Sequence, residues 1–463
     1  MQVTLIGLGG GTLDTLTQQA RDALQTAPLI LGAKRLLEAL PENGAKKIPA
    51  VRSQDILSIL QESREETACV VFSGDTGFYS GAKGLLPLLE QAGIPARVLP
   101  GLSSVQLFAA QVLGEDADGS YSPLSLYYAL ALAATGAAGE TQTQMLDLLG
   151  ISDPAQLSDQ CAKLYRLLIR DNEVGTLRLA NSLWMDQRVD WKQSFVTQAA
   201  QDFYAEVYQV DFTTDEAPQA MAQWVAQQTG GLLTPTFQPT DQQVLSLLNT
   251  VYFKDEWYDR FQSKNTQSDT FTKADGSQVT CDFMNREDQG SGFFRGKNFT
   301  RADLGLKNAG SMSFILPDVG TSVEELLASP ETLQEALSGG EERSGTVTWK
   351  IPKFDQSSKR ALEASLQALG IEQAFTKGAD FSGLSNEAAT PIWISSVTQE
   401  SRVAIDEKGV VAAAYTEVGM DAGAALIEDP DQADMILDRP FLYAITGPEG
   451  ELLFLGVCQD PTT

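Results

Sequence analysis

The stretch DEKGVVAAAYT, Asp406 to Thr416, decides the reading of this chain, together with LDRPFLYAITGPEGELLFLGV, Leu437 to Val457, which lies beyond a loose segment rich in Gly, Ala and Asp. After a charged turn come a glycine, two valines and three consecutive alanines. Small side chains in a row have little bulk to bury. They suit a segment that slides between two existing strands and pairs on both edges. Phe441 to Val457 reads as a β-hairpin, because FLYAIT and LLFLGV flank the turn GPEGE. Taken alone, the same residues also read as an exposed Ala-rich linker before a C-terminal hairpin, and the rest of the chain has to choose.

At 463 residues the chain is too long for one ordinary core, so two or more domains are expected. An apolar content of 43% excludes global disorder. No run approaches the ~18 apolar residues of a membrane helix, so no membrane partner is expected. The amino terminus MQVTLIGLGGGTLD reads as a strand entering a glycine turn, not as a signal peptide, which implies a cytoplasmic chain. Cys69, Cys161, Cys281 and Cys458 show no metal spacing and read as buried thiols. The absence of histidine excludes Ser/His/Asp and Cys/His catalysis and every His-ligated metal site, so no catalytic residue and no metal is expected.

Charge places a boundary. Residues 1–113 carry 9 basic and 10 acidic side chains, a net of −1, out of 33 and 61 in the chain. The remainder therefore holds 24 and 51, a net of −27, which points to two segments of different origin. So acidic a body excludes nucleic acid as a partner, because phosphate binding needs the opposite sign. Residues 114–120, GEDADGS, read as the join.

In 1–113 strands alternate with helices: VTLIGLGGG, a helix, a second strand, SQDILSILQES, ACVVFSG, YSGAKGLLPLLEQAG and ARVLPGLSSVQ. That order predicts an α/β half domain with a parallel sheet. The glycines do not match a dinucleotide fingerprint. GLGGG, SGDTGFYS (73–80) and PGLSSVQ (100–106) resemble the tetrapyrrole methyltransferases, closest to the cobalt-precorrin C5-methyltransferase type of cobalamin biosynthesis. The resemblance implies an S-adenosylmethionine cleft with Gly7, Gly9 and Gly10 in its first loop, Gly74, Asp75 and Gly77 in its second, and Ser103 and Ser104 in its third. On the residues alone these glycines are tight turns. The family completes its cleft with a second α/β domain, and no such pattern follows Leu113, so these motifs are expected to be vestigial.

From Tyr121 onward, SPLSLYYALALAATGAAGETQTQMLDLLG, LRLANSLWMDQ, FYAEVYQVDF, AQWVAQQTGGLL, VLSLLNTVYFKDEW and SGTVTWKIPKFD arrive in the order of serpin segments, ahead of the small-residue stretch quoted first. The chain from about residue 117 to 463 thus resembles a serpin (serine protease inhibitor) lacking its N-terminal helix. The implied fold is multi-domain α+β, at 121–463, with a large central β-sheet and an exposed reactive loop over about 407–437. The resemblance assigns the loop's hinge to Glu407, Gly409, Val410, Val411, Ala412, Ala413 and Ala414. By family spacing the cut bond lies near Ala422, Gly423 and Ala424. Ser122, Ser125, Asn249 and Gln399 would form a polar cluster beneath the central sheet, Gln399 standing where the family often has histidine, and Trp257 would lie where insertion begins. The ordinary readings are a helix cap, a strand-end amide and a core aromatic. The implied partner is a serine (or cysteine) protease that cuts the loop and is trapped as the loop inserts, acting on a monomeric inhibitor without a cofactor. With no basic residue near the cut, an elastase-like or subtilisin-like target is expected. A gene-level fusion and a bifunctional design both account for the join.

Overall fold

The computed structural model describes residues 1–8, 18–72, 82–99, 119–149, 151, 154–238, 243–308, 310–386, 392–395, 397–410, 431–448 and 450–462. Residues 2–99 alternate β1 (Gln2–Gly7), α1 (Gln18–Thr26), β2 (Leu29–Gly32), α2 (Lys34–Ala39), β3 (Lys46–Pro49), α3 (Ser53–Glu62), β4 (Thr67–Phe72), α4 (Ala82–Gln91) and β5 (Ala96–Leu99). The strands run in the order β3-β2-β4-β1-β5 and every pair is parallel. Ile6, Leu24, Ile30 and Leu36 pack on one face, and Leu5, Leu31, Leu60 and Leu85 on the other. Burial on both faces is why these strands read as continuous apolar runs instead of alternating.

Among the described residues, the remaining chain builds two sheets around a large hydrophobic core, with a smaller cluster on the far face of one of them. It opens with β6 (Gly119–Tyr121) and α5 (Pro123–Gly136), whose Ser122 cap accepts from the Ser125 N–H at 3.3 Å and whose Pro123 occupies the first turn. Leu124, Tyr128, Leu130, Leu132 and Ala134 are all buried, so α5 is apolar around its circumference and runs through the core. After α6 (Gly139–Leu149), α7 (Pro154–Leu168) and β7 (Arg170–Asp171) come β8 (Thr176–Asp186), α8 (Gln193–Asp202), β9 (Ala205–Val210), α9 (Glu216–Gln228) and β10 (Leu245–Glu256). Later, β16 (Phe354–Ala361), β17 (Thr398–Ile405) and β18 (Gly409–Val410) join the same sheet, in the order β16-β17-β18-β10-β8-β7 with β9 on β8.

This central sheet is sandwiched. Leu177, Leu179 and Leu183 of β8 and Val251 and Phe253 of β10 belong to the core around α5. Ala180 and Trp184 of β8 and Leu248 of β10 pack on the opposite face against Met221, Trp224 and Val225 of α9. The side-chain period of two sends odd positions of β10 toward α5 and even ones toward α9.

The second sheet has nine strands among the described residues. It contains β11 (Gln267–Thr272), β12 (Gln278–Arg295), β13 (Phe299–Gly305), β14 (Ser311–Pro317), β15 (Glu341–Pro352), β19 (Asp431–Ile436), β20 (Phe441–Thr446) and β21 (Leu452–Cys458), with β6 at one edge. The expected C-terminal hairpin is β20–β21, antiparallel, with Gly450 at φ +87° in its turn. SGTVTWKIPKFD divides at Lys353 between β15 and β16, one strand in each sheet. Among the described residues no helix is long and apolar enough to cross a membrane.

The slot in the central sheet as candidate functional site

β17 ends at Ile405 and the chain reverses at once. Asp406 makes the turn: its Oδ1 accepts from the N–H groups of Lys408 (2.8 Å) and Gly409 (3.2 Å), and its own N–H donates to the Gly409 carbonyl at 3.0 Å. The returning strand β18 is two residues long. Val410 pairs with Ile405 on one side and Asp255 on the other, and Gly409 pairs with Glu256. Val410 is 1% exposed. Gly409 is required by space: a Cβ there would stand 2.2 Å from the Asp255 carbonyl oxygen.

Three side chains hold this turn. Trp257, buried, donates its indole N–H to the Asp406 carbonyl at 2.8 Å and its backbone N–H to the Lys408 carbonyl at 2.9 Å. Glu407 accepts from the Thr266 hydroxyl at 2.8 Å and pairs with Lys353 at 3.2 Å. Burial alone would push the Glu407 carboxyl up. Hydrogen bonds from its backbone, Thr266 and Lys353, with the lysine's charge, outweigh burial and hold it below the ordinary carboxylate range. Beside the hinge, Glu256 is held by Arg260 (2.6 Å) and Lys307 (2.8 Å).

Below β18 the sheet is parted. β10 pairs with β8 along Leu245–Lys254, and β17 pairs with β16 along Thr398–Ile405. Among the described residues neither has a strand partner on the edge facing the other, apart from β18. A cavity of about 310 Å³ fills this gap, walled by β10 and β17, with Leu126 and Leu130 of α5 on one face and Leu233 and Phe237 beyond α9 on the other.

Of the cluster expected from sequence, Ser122, Ser125 and Gln399 come together. The Ser122 N–H donates to Gln399 Oε1 at 2.8 Å, and Gln399 Nε2 donates back to the Ser122 carbonyl at 2.9 Å. Glutamine thus supplies both a donor and an acceptor to one backbone unit. Asn249 lies across the slot, donating to Asn181 Oδ1 at 2.5 Å, while its own Oδ1 has no hydrogen-bond partner. Trp257 sits beside the Asp406–Gly409 turn that leads into β18. Of the hinge residues, Glu407, Gly409 and Val410 are described; Val411, Ala412, Ala413 and Ala414, and the cut region Ala422, Gly423 and Ala424, lie outside the described residues. Sequence reasoning missed the anchors Thr266 and Lys353, which are 141 and 54 residues from Glu407. It also missed Ser120, whose hydroxyl lies 2.9 Å from that of Ser401 beneath the sheet. Single hydroxyls and lysines carry no pattern that separates them from a solvated surface.

In the amino-terminal unit, Gly7 closes β1 opposite Phe72. Gly9, Gly10, Gly74, Asp75, Gly77, Ser103 and Ser104 lie outside the described residues. The three motifs follow β1, β4 and β5, which are neighbours in the order β4-β1-β5 with their carboxyl ends together.

The family model for Serpin (serine protease inhibitor) matches residues 104–461, well over half of the chain. The chain belongs to the serpin family. Serpin-Z1C of Triticum aestivum is 30% identical over 74% of this chain and 89% of its own length. Iripin-2 of Ixodes ricinus is 30% identical over 76% and 89%. The thermophilic serpin tengpin in its native state superposes with a TM-score of 0.67 at 25% identity, over 78% of this chain and 94% of that one. A second family model, Tetrapyrrole (Corrin/Porphyrin) Methylases, matches residues 2–167. It covers the parallel five-stranded unit and overlaps the serpin match over 104–167.

Proposed function

We propose that this serpin inhibits a serine protease with a small or apolar primary pocket, elastase-like or subtilisin-like, by cleavage near Gly423–Ala424 and insertion of the loop between β10 and β17. The observation that carries this reading is the seated hinge, because it supplies a register. Val410 opposite Asp255 and Ile405 fixes each later residue: Ala412 falls opposite Phe253, Ala414 opposite Val251, Thr416 opposite Asn249 and Gln399, and Val418 opposite Leu247. These positions face α5 and the core. All are uncharged, and Thr416 is the polar one, delivered between Asn249 and Gln399. Its hydroxyl can donate to Asn249 Oδ1, which lacks a partner. Glu417 falls on the opposite face. A charge at any inward position would forbid insertion, and the sequence has none.

Chemically, the protease serine attacks the carbonyl of the cut residue and the new amine departs, leaving an ester. The inserting loop gains pairing on both edges and carries the esterified protease away before water can release it. The acidic body favours a target with a basic surface. Residues 1–113 are read as a vestigial methyltransferase half that transfers no methyl group.

The test is to incubate the purified chain with an elastase-like and a subtilisin-like protease and run a denaturing gel. A boiling-resistant band at the summed mass supports the reading, and the released peptide's mass locates the bond. Clean cleavage with no such band overturns it.

A further inference from the structure

The outer edge of β8, on the far side of that strand from β10, is covered at both ends and open in the middle. β7 pairs with it at Thr176 and Leu177, and β9 pairs with it from Asn181 to Asp186. Among the described residues no strand lies against 178–180 on this edge. The β7–β8 turn tells which backbone groups look outward there. The Asn172 N–H donates to the Gly175 carbonyl at 3.0 Å, so two positions on, Arg170 and Leu177 are again a hydrogen-bonded pair. Leu179 is two residues further and turns its N–H and carbonyl to the same side, into the opening. A cavity of about 220 Å³ occupies that opening. Tyr165 of α7 and Tyr204 line it as a stacked pair 4.1 Å apart. Among the described residues, Tyr204 is the one non-glycine in the left-handed region, at φ +53°.

The two ends of the opening carry opposite charges. At the β7 end Asp171 is engaged with the Thr176 hydroxyl at 3.0 Å and Arg178 at 3.5 Å, whereas Arg170 donates to the Ile169 carbonyl and forms no ion pair among the described residues. At the β9 end Glu206 accepts from Tyr208 at 2.5 Å and Gln228 at 3.1 Å, and it too forms no ion pair among the described residues. We propose that this notch binds a short extended peptide, two or three residues long with both termini free, by antiparallel strand addition to β8. A peptide unit brings the donor and the acceptor that match the Leu179 carbonyl and N–H. An antiparallel ligand sends its carboxylate toward β7 and Arg170 and its ammonium toward β9 and Glu206; a parallel one would set both charges against their like. Leu177 and Asn181 are about 14 Å apart along an extended strand, room for two or three residues. β7 and β9 close the edge on either side, so a long strand from another protein has no path through. Small peptides with free termini are what protease digestion releases. The site does not depend on the inhibitory reading.

Isothermal titration calorimetry of the full chain with trialanine should show saturable one-site binding. Ala-(N-methyl-Ala)-Ala loses the donor aimed at the Leu179 carbonyl and sets a methyl group against it, so it should bind at least about tenfold more weakly. N-acetyl-trialanine amide, which has no terminal charge, should lose a similar factor. Arg170→Gln and Glu206→Gln should each weaken trialanine about threefold or more, leave the blocked peptide's affinity unchanged and keep parental circular dichroism. No saturable heat up to about 10 mM trialanine overturns the site. Equal affinity for the N-methylated peptide overturns strand addition. Parental affinity for trialanine in both variants overturns the assignment of its termini to Arg170 and Glu206, and with it the proposed ligand.

Discussion

Replacing Gly409 by Ala isolates the seated hinge. The added Cβ would stand 2.2 Å from the Asp255 carbonyl oxygen and 2.6 Å from Glu256 Cα, and both are backbone atoms of β10, next to the Lys254 end of its ladder with β8. Ordinary contact begins near 3.4 Å, so β18 must retreat by about 1 Å. That shift breaks the pairing of Gly409 and Val410 with β10. Exposing Val410, now 1% exposed, forfeits about 1.5–2 kcal/mol, and the lost ladder bonds add about 1 kcal/mol. If about 2 kcal/mol of this is already gained in the transition state for insertion, the Ala variant inserts about thirtyfold more slowly. Cleavage itself is untouched, because the cut bond near Gly423 is 14 residues away. On a denaturing gel with an elastase-like protease, the product should therefore pass from covalent complex to cleaved chain. Parental complex yield and rate from Gly409→Ala would refute the claim that insertion starts from this seat.

Four further outcomes follow from the same geometry. Glu407→Lys sets a cation against Lys353, and should release the turn and raise the yield of self-associated chain, read by size-exclusion chromatography. Because the Glu407 carboxyl is held below its ordinary 4.5, the stability it contributes is present above that value and is lost as pH falls through the lower, folded one. Trp257 fluorescence, which monitors the adjoining Asp406 carbonyl, should therefore shift in acid, and should do so less in Glu407→Gln. Gln399→Leu strands the Ser122 N–H in a buried site, while the Ser122 carbonyl keeps the Leu126 N–H at 3.3 Å, and should cost about 1–3 kcal/mol in urea unfolding. Equilibrium dialysis with labelled S-adenosylmethionine should show no binding to the full chain; stoichiometric uptake would restore the methyltransferase reading of 1–113.

The fold was legible wherever local chemistry and periodicity agreed. The βα alternation of 1–99, the Ser122–Pro123 helix start and the hairpin around GPEGE all follow from short-range rules. Gly409 and Val410 form a strand, as the small-residue reading expects, and the valine and alanines after them lie outside the described residues. The Ser122–Gln399 contact spans 277 residues and came from resemblance, not from any local signal. The Thr266 and Lys353 anchors of Glu407 stayed hidden for a related reason: ion pairs are made by tertiary placement, and one lysine among 33 basic side chains carries no address. Lys353 also marks where one apolar run splits between two sheets, which no periodicity announces.

The order of strands in the nine-stranded sheet has a consequence for biosynthesis. β20 and β21 lie between β14 and β6, so one of the earliest strands of the serpin body waits for one of the latest to give it a neighbour. On the ribosome this body cannot close until residue 458 has been made, and apolar strands stay uncovered until then. Among the described residues, the parallel sheet of residues 2–99 takes no strand from later in the chain. It can finish folding while more than three hundred residues are still to be added, and so the chain carries a folded, nearly neutral leader through the interval in which its acidic body is most exposed to misassembly.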